Sequence, residues 1–124
     1  MSRQQQWAAA AHKQVKAFAG DKDAAKLKTL CMKAPGLIHQ SGLAQALAFL
    51  RSRDGIIGKT FVDAIADVYA AGKGGTQDNL VNRALTTDDL AAYMALTADV
   101  ADVAAWMRRF AQIELKGVDE ADPE

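Results

Sequence analysis

Apolar residues recur along the chain at helical spacing, and this pattern predicts about six helices with short connections. The first helix extends from about Arg3 to Ala19. Its apolar side carries Trp7, Val15 and Phe18, and Gly20 follows as a C-terminal stop. A helix that is apolar along one side needs other helices to cover that side. The pattern therefore favours a helical bundle.

The second and third helices have clear starting residues. The second begins near Asp21 or Asp23, either of which can cap it, and Pro35-Gly36 is expected to break or kink it. Its apolar run continues to Ser41-Gly42. The third helix is predicted from Leu43 to about Ser52, with an i, i+3, i+4, i+7 stripe of apolar residues.

The second half of the chain is divided by threonine caps and glycines. The predicted segments are a loop at 54–58, a helix from Thr60 to Gly72, a glycine-rich stretch of variable length at 73–79, a helical turn at 80–85, and helices at 88–96 and 98–116. Thr60, Thr86 and Thr97 are the expected caps of these helices. The tail 117–124 is acidic and is expected to be disordered. One domain, 1–116, is therefore expected.

Composition supports this picture. Half of the 124 residues are hydrophobic and 26 are alanine, the strongest helix former. We therefore predict an all-α fold, a single compact bundle in which Leu47 and Phe110 are largely buried. One cysteine excludes an internal disulfide framework. The N-terminus lacks the apolar core of a signal peptide and no run approaches transmembrane length, so a cytoplasmic protein is expected.

Residues suited to catalysis are sparse. The segment Gly55–Thr60 looks like a phosphate-binding loop, but the motif G-x-x-x-x-G-K-[ST] would require glycine at Arg53. His12 and His39 lie outside any metal-binding motif, and Cys31 lies beside an apolar helix face, where a packing role is expected. We expect no enzymatic activity, no cofactor, no metal and no small-molecule substrate.

Charge is unevenly distributed although the net charge is zero. Residues 1–59 carry ten Lys/Arg and three Asp/Glu, whereas residues 60–124 carry five and twelve. The basic side chains form either a solvated face or a groove along a phosphate backbone. Trp7, Phe18 and Phe49 are assigned to the core, so nucleic-acid contacts would be backbone-directed. The candidate nucleic-acid-binding residues are Lys13, Lys16, Lys22, Lys26, Lys33, Arg51, Arg53 and Arg109.

Three stretches in a fixed order carry a family resemblance. They are LIHQSGLAQALAFLRS at 37–52, YMALT at 93–97 and WMRRFAQ at 106–112. Together with Arg3, Trp7, Ala11 and Val15 of the first helix, they resemble the small α-helical subunit of the type III-B (Cmr) CRISPR–Cas effector complex. The likeness spans residues 3–116.

The resemblance implies a non-catalytic building block for antiviral defence. In such complexes several small subunits stack into a minor filament beside the backbone subunits, which hold the guide RNA. They help form the channel for the target RNA strand, and other subunits carry out the chemistry. The implied partners are the backbone and large subunits, further copies of this chain, and guide and target RNA, with no membrane.

Two other functions are compatible with the sequence. A helix-turn-helix DNA-binding regulator would need polar, base-reading side chains on the third helix, where Leu43, Ala44 and Leu47 supply little of that chemistry. An oligomerising scaffold without nucleic acid would show no salt-sensitive RNA binding.

Overall fold

The helical pattern of the sequence is reproduced in a computed structural model of the chain, which describes residues 1–72 and 79–119. Within these residues the secondary structure consists of helices without strands, as the all-α prediction requires. The helices in chain order are α1 (Arg3–Ala19), α2 (Ala24–Ser41), α3 (Leu43–Ser52), α4 (Ile56–Gly72), α5 (Leu80–Thr86) and α6 (Leu90–Glu114). Most of the predicted glycine-rich stretch at 73–79 and the end of the acidic tail lie outside the described residues.

The predicted bounds of α1 are confirmed because both of its ends are capped. The Ser2 hydroxyl accepts the Gln5 N–H at 3.1 Å, and the Gln5 side chain accepts the Ser2 N–H at 2.8 Å. This reciprocal pair satisfies two donors that a helix start otherwise leaves free. At the other end, the Gly20 N–H donates to the Ala17 carbonyl and the Asp21 N–H donates to the Phe18 carbonyl.

α2 continues through Pro35, so of the two predicted outcomes, a break or a kink, the break is wrong and the kink stays a prediction. Proline lacks an N–H and so removes one hydrogen bond. Cys31, Ala34 and Ile38 are buried on either side of it, and their packing keeps the helix continuous to Ser41. The helix ends at Gly42, where φ is +81°, a conformation that favours glycine.

α4 begins at Ile56, inside the segment predicted as a loop, so the predicted cap at Thr60 is wrong. The reason is Gly58. A Cβ on this residue would come no more than 2.7 Å from three carbonyl oxygens at the end of α3, those of Leu50, Arg51 and Arg53. The glycine thus lets the first turn of α4 rest directly on the end of α3.

α6 is one helix of 25 residues, and the predicted break at Thr97 is wrong. The Thr97 hydroxyl donates to the Tyr93 carbonyl at 2.8 Å, a bond made within a continuous helix. Asp89 caps the start of α6, where Thr86 was predicted as the cap, and accepts the Ala92 N–H at 2.9 Å. No glycine or proline lies near Thr97, so nothing interrupts the helix there.

α6 lies between α1 and α2 and packs along both of them. It runs parallel to α1: Arg3 contacts Asp99 near the start of the pair, and His12 contacts Glu114 near its end. α4 also packs against α1, and α3 packs against both α2 and α4. The core runs through the middle of this arrangement.

Three residues that were predicted to be buried differ in their burial in the structure. Leu47 is fully buried, as predicted. Phe110 is only partly buried, because it lies at the edge where α1 meets α6. Phe49 is 42 % exposed, so its assignment to the core is wrong. It lies on α3 outside the apolar stripe that contains Leu47.

α6 is also apolar enough to cross a membrane, judged by length and composition alone. Its inner side chains, including Val100, Val103 and Met107, are fully buried in the bundle. Its other side carries charged residues such as Asp102 and Arg109. These features are those of a core helix that covers other helices.

Candidate nucleic-acid interface

The two lysines predicted on α1 share one exposed surface. Lys13 and Lys16 are both exposed, on the side opposite the buried residues Trp7, Val15 and Phe18. Because their ammonium groups face solvent at neighbouring positions, they can meet a phosphate backbone without desolvation of either group.

The three predicted lysines near α2 differ in how freely their ammonium groups could contact RNA. Lys22 is exposed but lies in the turn before the helix, and Lys33 is exposed near its middle. Lys26 is half-buried and pairs with Asp54 at 3.6 Å. One of the three predicted lysines near α2 therefore already has an acidic partner, while the other two are exposed.

The two arginines at the end of α3 do not act together. The Arg53 guanidinium lies over the Phe49 ring, 4.9 Å from its centre, and Arg53 is half-buried. Arg51 is exposed and lines a hollow of about 400 Å³ that Lys59 and Asn79 also line. In the sequence Lys59 stands out only as part of an apparent nucleotide loop, and its place beside Arg51 is visible only in the fold.

Acidic side chains on α4 offset the positive charge of Arg51 and Lys59. Lys59 Nζ lies 2.8 Å from Asp63 Oδ2, one helical turn further along α4. Desolvation and the charge of Asp63 raise the pKa of Asp67 above its usual value. Two carboxylates on this part of α4 oppose a phosphate. The resemblance of Gly55–Thr60 to a phosphate-binding loop is explained by the packing of Gly58 against α3.

The predicted basic residues near the N-terminus are carried by two helices and the turn between them. α6 packs along both helices, which make few contacts with each other. Lys13 and Lys16 face outward from α1, whereas Lys26 reaches the connection between α3 and α4 at Asp54. The exposed basic residues are thus distributed over α1, the turn before α2, and α2 itself, and a groove along a phosphate backbone stays a prediction.

Arg109, the last predicted residue, lines a second hollow at the junction of α1 and α6, of about 480 Å³. The other side chains lining it are those of Gln4, Asp102, Ala105 and Trp106. The Gln4 amide accepts the Trp106 indole N–H at 2.8 Å and donates to Asp102 at 2.9 Å. These two hydrogen bonds hold the indole in one orientation.

Three aromatic rings follow one another along this junction, which sequence reasoning missed. Trp106 stacks on Phe110 with ring centres 6.0 Å apart, and Phe110 lies 4.7 Å from the His12 ring. All three side chains are partly exposed. The i, i+4 spacing of Trp106 and Phe110 was the available signal, but the contribution of α1 is visible only in the fold. We call Trp106, Phe110 and His12 the aromatic seam.

The cysteine and the two histidines lie in surroundings that explain them without catalysis. Burial raises the pKa of the Cys31 thiol to about 12, so the thiol stays protonated at neutral pH. His12 lies 3.0 Å from Glu114, while His39 is exposed at the end of α2. Among residues 1–72 and 79–119, no cluster of three or more His, Cys, Asp or Glu side chains could hold a metal ion.

An exposed apolar surface lies where α5 meets α6, and the sequence did not predict it. Leu85, Leu90 and Met94 are each more than 60 % exposed. They border two neighbouring hollows that share Tyr93 as a lining residue, with volumes of about 360 and 380 Å³. Large apolar patches on small domains mark sites of protein contact. We call Leu85, Leu90 and Met94 the apolar corner.

α3 does not have the surface of a DNA-reading helix. Leu43, Ala46 and Leu47 are buried in the bundle, so the first turns of the helix are unavailable to a groove. The fold and its surfaces define instead a small helical subunit with separate basic, aromatic and apolar surfaces.

Comparison with known proteins identifies the family. Residues 3–114 match the family described as CRISPR-associated protein (Cas_Cmr5). The chain is 33 % identical over 111 residues to the CRISPR system Cmr subunit Cmr5 of Thermus thermophilus, covering 90 % of this chain and 94 % of that protein. The crystal structure of a CRISPR-associated Cmr5 family protein from the same organism has a TM-score of 0.83 and 32 % identity. The match covers 93 % of this chain and 98 % of that one.

The chain belongs to the Cmr5 family and is a small subunit of the Cmr (type III-B) CRISPR-associated complex. The resemblance drawn from the three sequence stretches is confirmed, as is the all-α fold. The eight predicted nucleic-acid-binding residues stay predictions.

Proposed function

We propose that the chain is a non-catalytic structural subunit that stacks with copies of itself in the minor filament of the cytoplasmic Cmr complex. There it helps form the channel for the target RNA. The apolar corner is the observation that carries this proposal. A domain of this size gains nothing from exposing Leu85, Leu90 and Met94, whereas a stacked subunit covers them.

The acidic residues beside the apolar corner support a protein partner there. Asp88 and Asp89 are exposed next to Leu90, and the basic surfaces of the chain lie elsewhere. A phosphate backbone would be repelled from this end of the bundle, while a neighbouring protein surface with apolar and basic side chains would be attracted. Docking and RNA contact therefore belong to different parts of the molecule.

RNA contact in this proposal rests on the exposed lysines. Lys13 and Lys16 are exposed on α1, Lys22 is exposed in the turn that follows, and Lys33 is exposed on α2. A few contacts bind weakly, since each neutralised phosphate contributes a salt slope of about −0.7 for single strands, and four give roughly −3. In a filament the surfaces of neighbouring subunits follow one another, and avidity replaces single-site affinity.

The experiment reconstitutes the Cmr complex with wild-type subunit or with variants of each surface. One variant replaces Lys13 and Lys16 with alanine, and a second replaces Lys22 and Lys33. Lys59→Ala is the matched control, because Lys59 is exposed but paired with Asp63. We expect at least one double variant to bind every target RNA more weakly with a shallower salt slope and unchanged assembly.

Docking is tested separately with Leu90→Glu. Leu90 is 71 % exposed, so the isolated variant should remain folded while its incorporation into the complex is lost. Unchanged incorporation would contradict the docking part of the proposal. If both lysine variants retain wild-type affinity and slope, the chain acts as a scaffold without nucleic-acid contact.

A further inference from the structure

The α1–α6 junction combines aromatic rings with polar side chains in a way the lysine surfaces do not. Trp106 lines a hollow of about 480 Å³ and is stacked on Phe110. The Gln4 amide fixes the indole N–H at 2.8 Å, so the ring is held in place before any ligand arrives. A fixed, partly exposed indole is a suitable platform for stacking a planar group.

The polar groups of this hollow suit the edge of a nucleobase better than a phosphate. Arg109 supplies donors, and Asp102 supplies a carboxylate of which one oxygen, Oδ2, accepts the Gln4 amide at 2.9 Å. The carboxylate would repel a phosphate. A base edge presents both donors and acceptors, and carboxylates accept hydrogen bonds from exocyclic amines of bases.

Positive charge for the adjoining backbone lies along the same junction. Lys16 follows His12 by one helical turn on α1 and is exposed, and Arg109 is exposed on α6. Two acidic residues of the junction have partners within the chain, Asp99 with Arg3 and Glu114 with His12, whereas Asp102 uses one oxygen for Gln4 and keeps the other for a base edge. Stacking rings flanked by cations are typical of single-strand binding surfaces.

We propose that the aromatic seam binds bases of single-stranded RNA, with Trp106 stacking on a base and Arg109 and Lys16 beside the backbone. This inference rests on the proposed function, because the RNA is taken to be the target strand. It goes further in assigning the RNA side of the bundle to the α1–α6 junction. It also adds base stacking to a binding mode that the sequence had restricted to phosphates.

The first test uses the intrinsic fluorescence of the chain. The two tryptophans are Trp7, which is fully buried, and Trp106, so quenching by a base reports on Trp106. We expect single-stranded RNA to quench the emission, while an abasic ribose-phosphate oligomer of equal length does not. Trp106→Phe, which retains only Trp7, is expected to lose the quenching. Equal effects of the two oligomers would overturn the proposal.

The second test measures target-RNA affinity of the reconstituted complex. Trp106→Leu is expected to weaken binding about tenfold (roughly 1.4 kcal/mol) with an unchanged salt slope, because stacking releases no counterions. Trp106→Phe should retain most of the affinity. Ala105→Phe, at an exposed position lining the hollow, should block base entry and give a similar loss with Trp106 intact.

Other outcomes separate the two proposals. Unchanged affinity in Trp106→Leu and Ala105→Phe, together with lowered affinity in the lysine variants, would overturn base stacking and leave backbone contact standing. Failure of these variants to enter the complex would assign the seam to a protein partner and likewise overturn base stacking.

Discussion

Gly58 is the position at which one methyl group should disturb this fold most. It lies in the first turn of α4, and a Cβ there would come no more than 2.7 Å from three backbone carbonyl oxygens, those of Leu50 and Arg51 in α3 and of Arg53 just after it. Ordinary contact requires about 3.4 Å, so α4 must move by roughly 1 Å. Because the opposing atoms belong to the backbone, no side chain can rotate away.

The cost of Gly58→Ala can be worked from these contacts. Overpacking of this kind costs up to about 3 kcal/mol. The movement also strains the bond from the Gly58 N–H to the Arg53 carbonyl, which is 2.9 Å long and contributes about 1 kcal/mol. The higher helix propensity of alanine returns about 1 kcal/mol. We therefore expect the free energy of unfolding to fall by about 3 kcal/mol.

Urea unfolding followed by circular dichroism measures this change. With an m-value of about 2 kcal/mol/M, the midpoint should fall by roughly 1.5 M. Gly36→Ala is the matched control: Gly36 is exposed within α2 and a Cβ there would meet no atom within 4 Å. That variant should gain about 1 kcal/mol. A midpoint for Gly58→Ala at or above that of wild type would refute the packing explanation.

The other predictions rest on burial and charge. Leu47→Ala should lower the free energy of unfolding by about 2–5 kcal/mol, because Leu47 is fully buried. The loss should be smaller for Phe110→Ala, since Phe110 is half-buried, and under about 1 kcal/mol for Phe49→Ala, since Phe49 is exposed. Urea unfolding measures all three values. Burial raises the pKa of the Cys31 thiol from 9.0 to about 12, so between these pH values the unfolded state loses the thiol proton while the folded state keeps it. The free energy of unfolding should therefore fall as pH rises from 9 toward 12, by up to about 1.4 kcal/mol per pH unit. Cys31→Ala should remove this contribution to the slope. The purified chain should show no ATPase or nuclease activity and only background ATP affinity that Lys59→Ala leaves unchanged; saturable binding lost in that variant would restore the nucleotide site.

Local sequence determined the helices whose signals lie within a few residues. The capping box of Ser2 and Gln5 and the stop at Gly20 set the bounds of α1, and the apolar stripe that contains Leu47 set those of α3. Three short stretches were also enough for the family. These features could be predicted because they depend on neighbours in sequence or on residue order.

Tertiary packing decided the features for which the local signal was misleading. Burial on both sides of Pro35 keeps α2 continuous, and the close approach at Gly58 starts α4 before its apparent cap. At Thr97 a cap-forming residue lies inside a helix because its hydroxyl bonds back to Tyr93. In each case the energy of packing or continuous hydrogen bonding exceeds that of the local preference.

The candidate surfaces depended on the fold more than the helices did. Sequence identified Lys13, Lys16 and Arg109 as cations, but it could not show that α6 packs along both α1 and α2. It also could not bring His12 beside Phe110, which is 98 residues further along the chain and 4.7 Å away between ring centres. Charge and aromatic character are properties of single residues, whereas a binding surface is a property of helices brought together by the core they share.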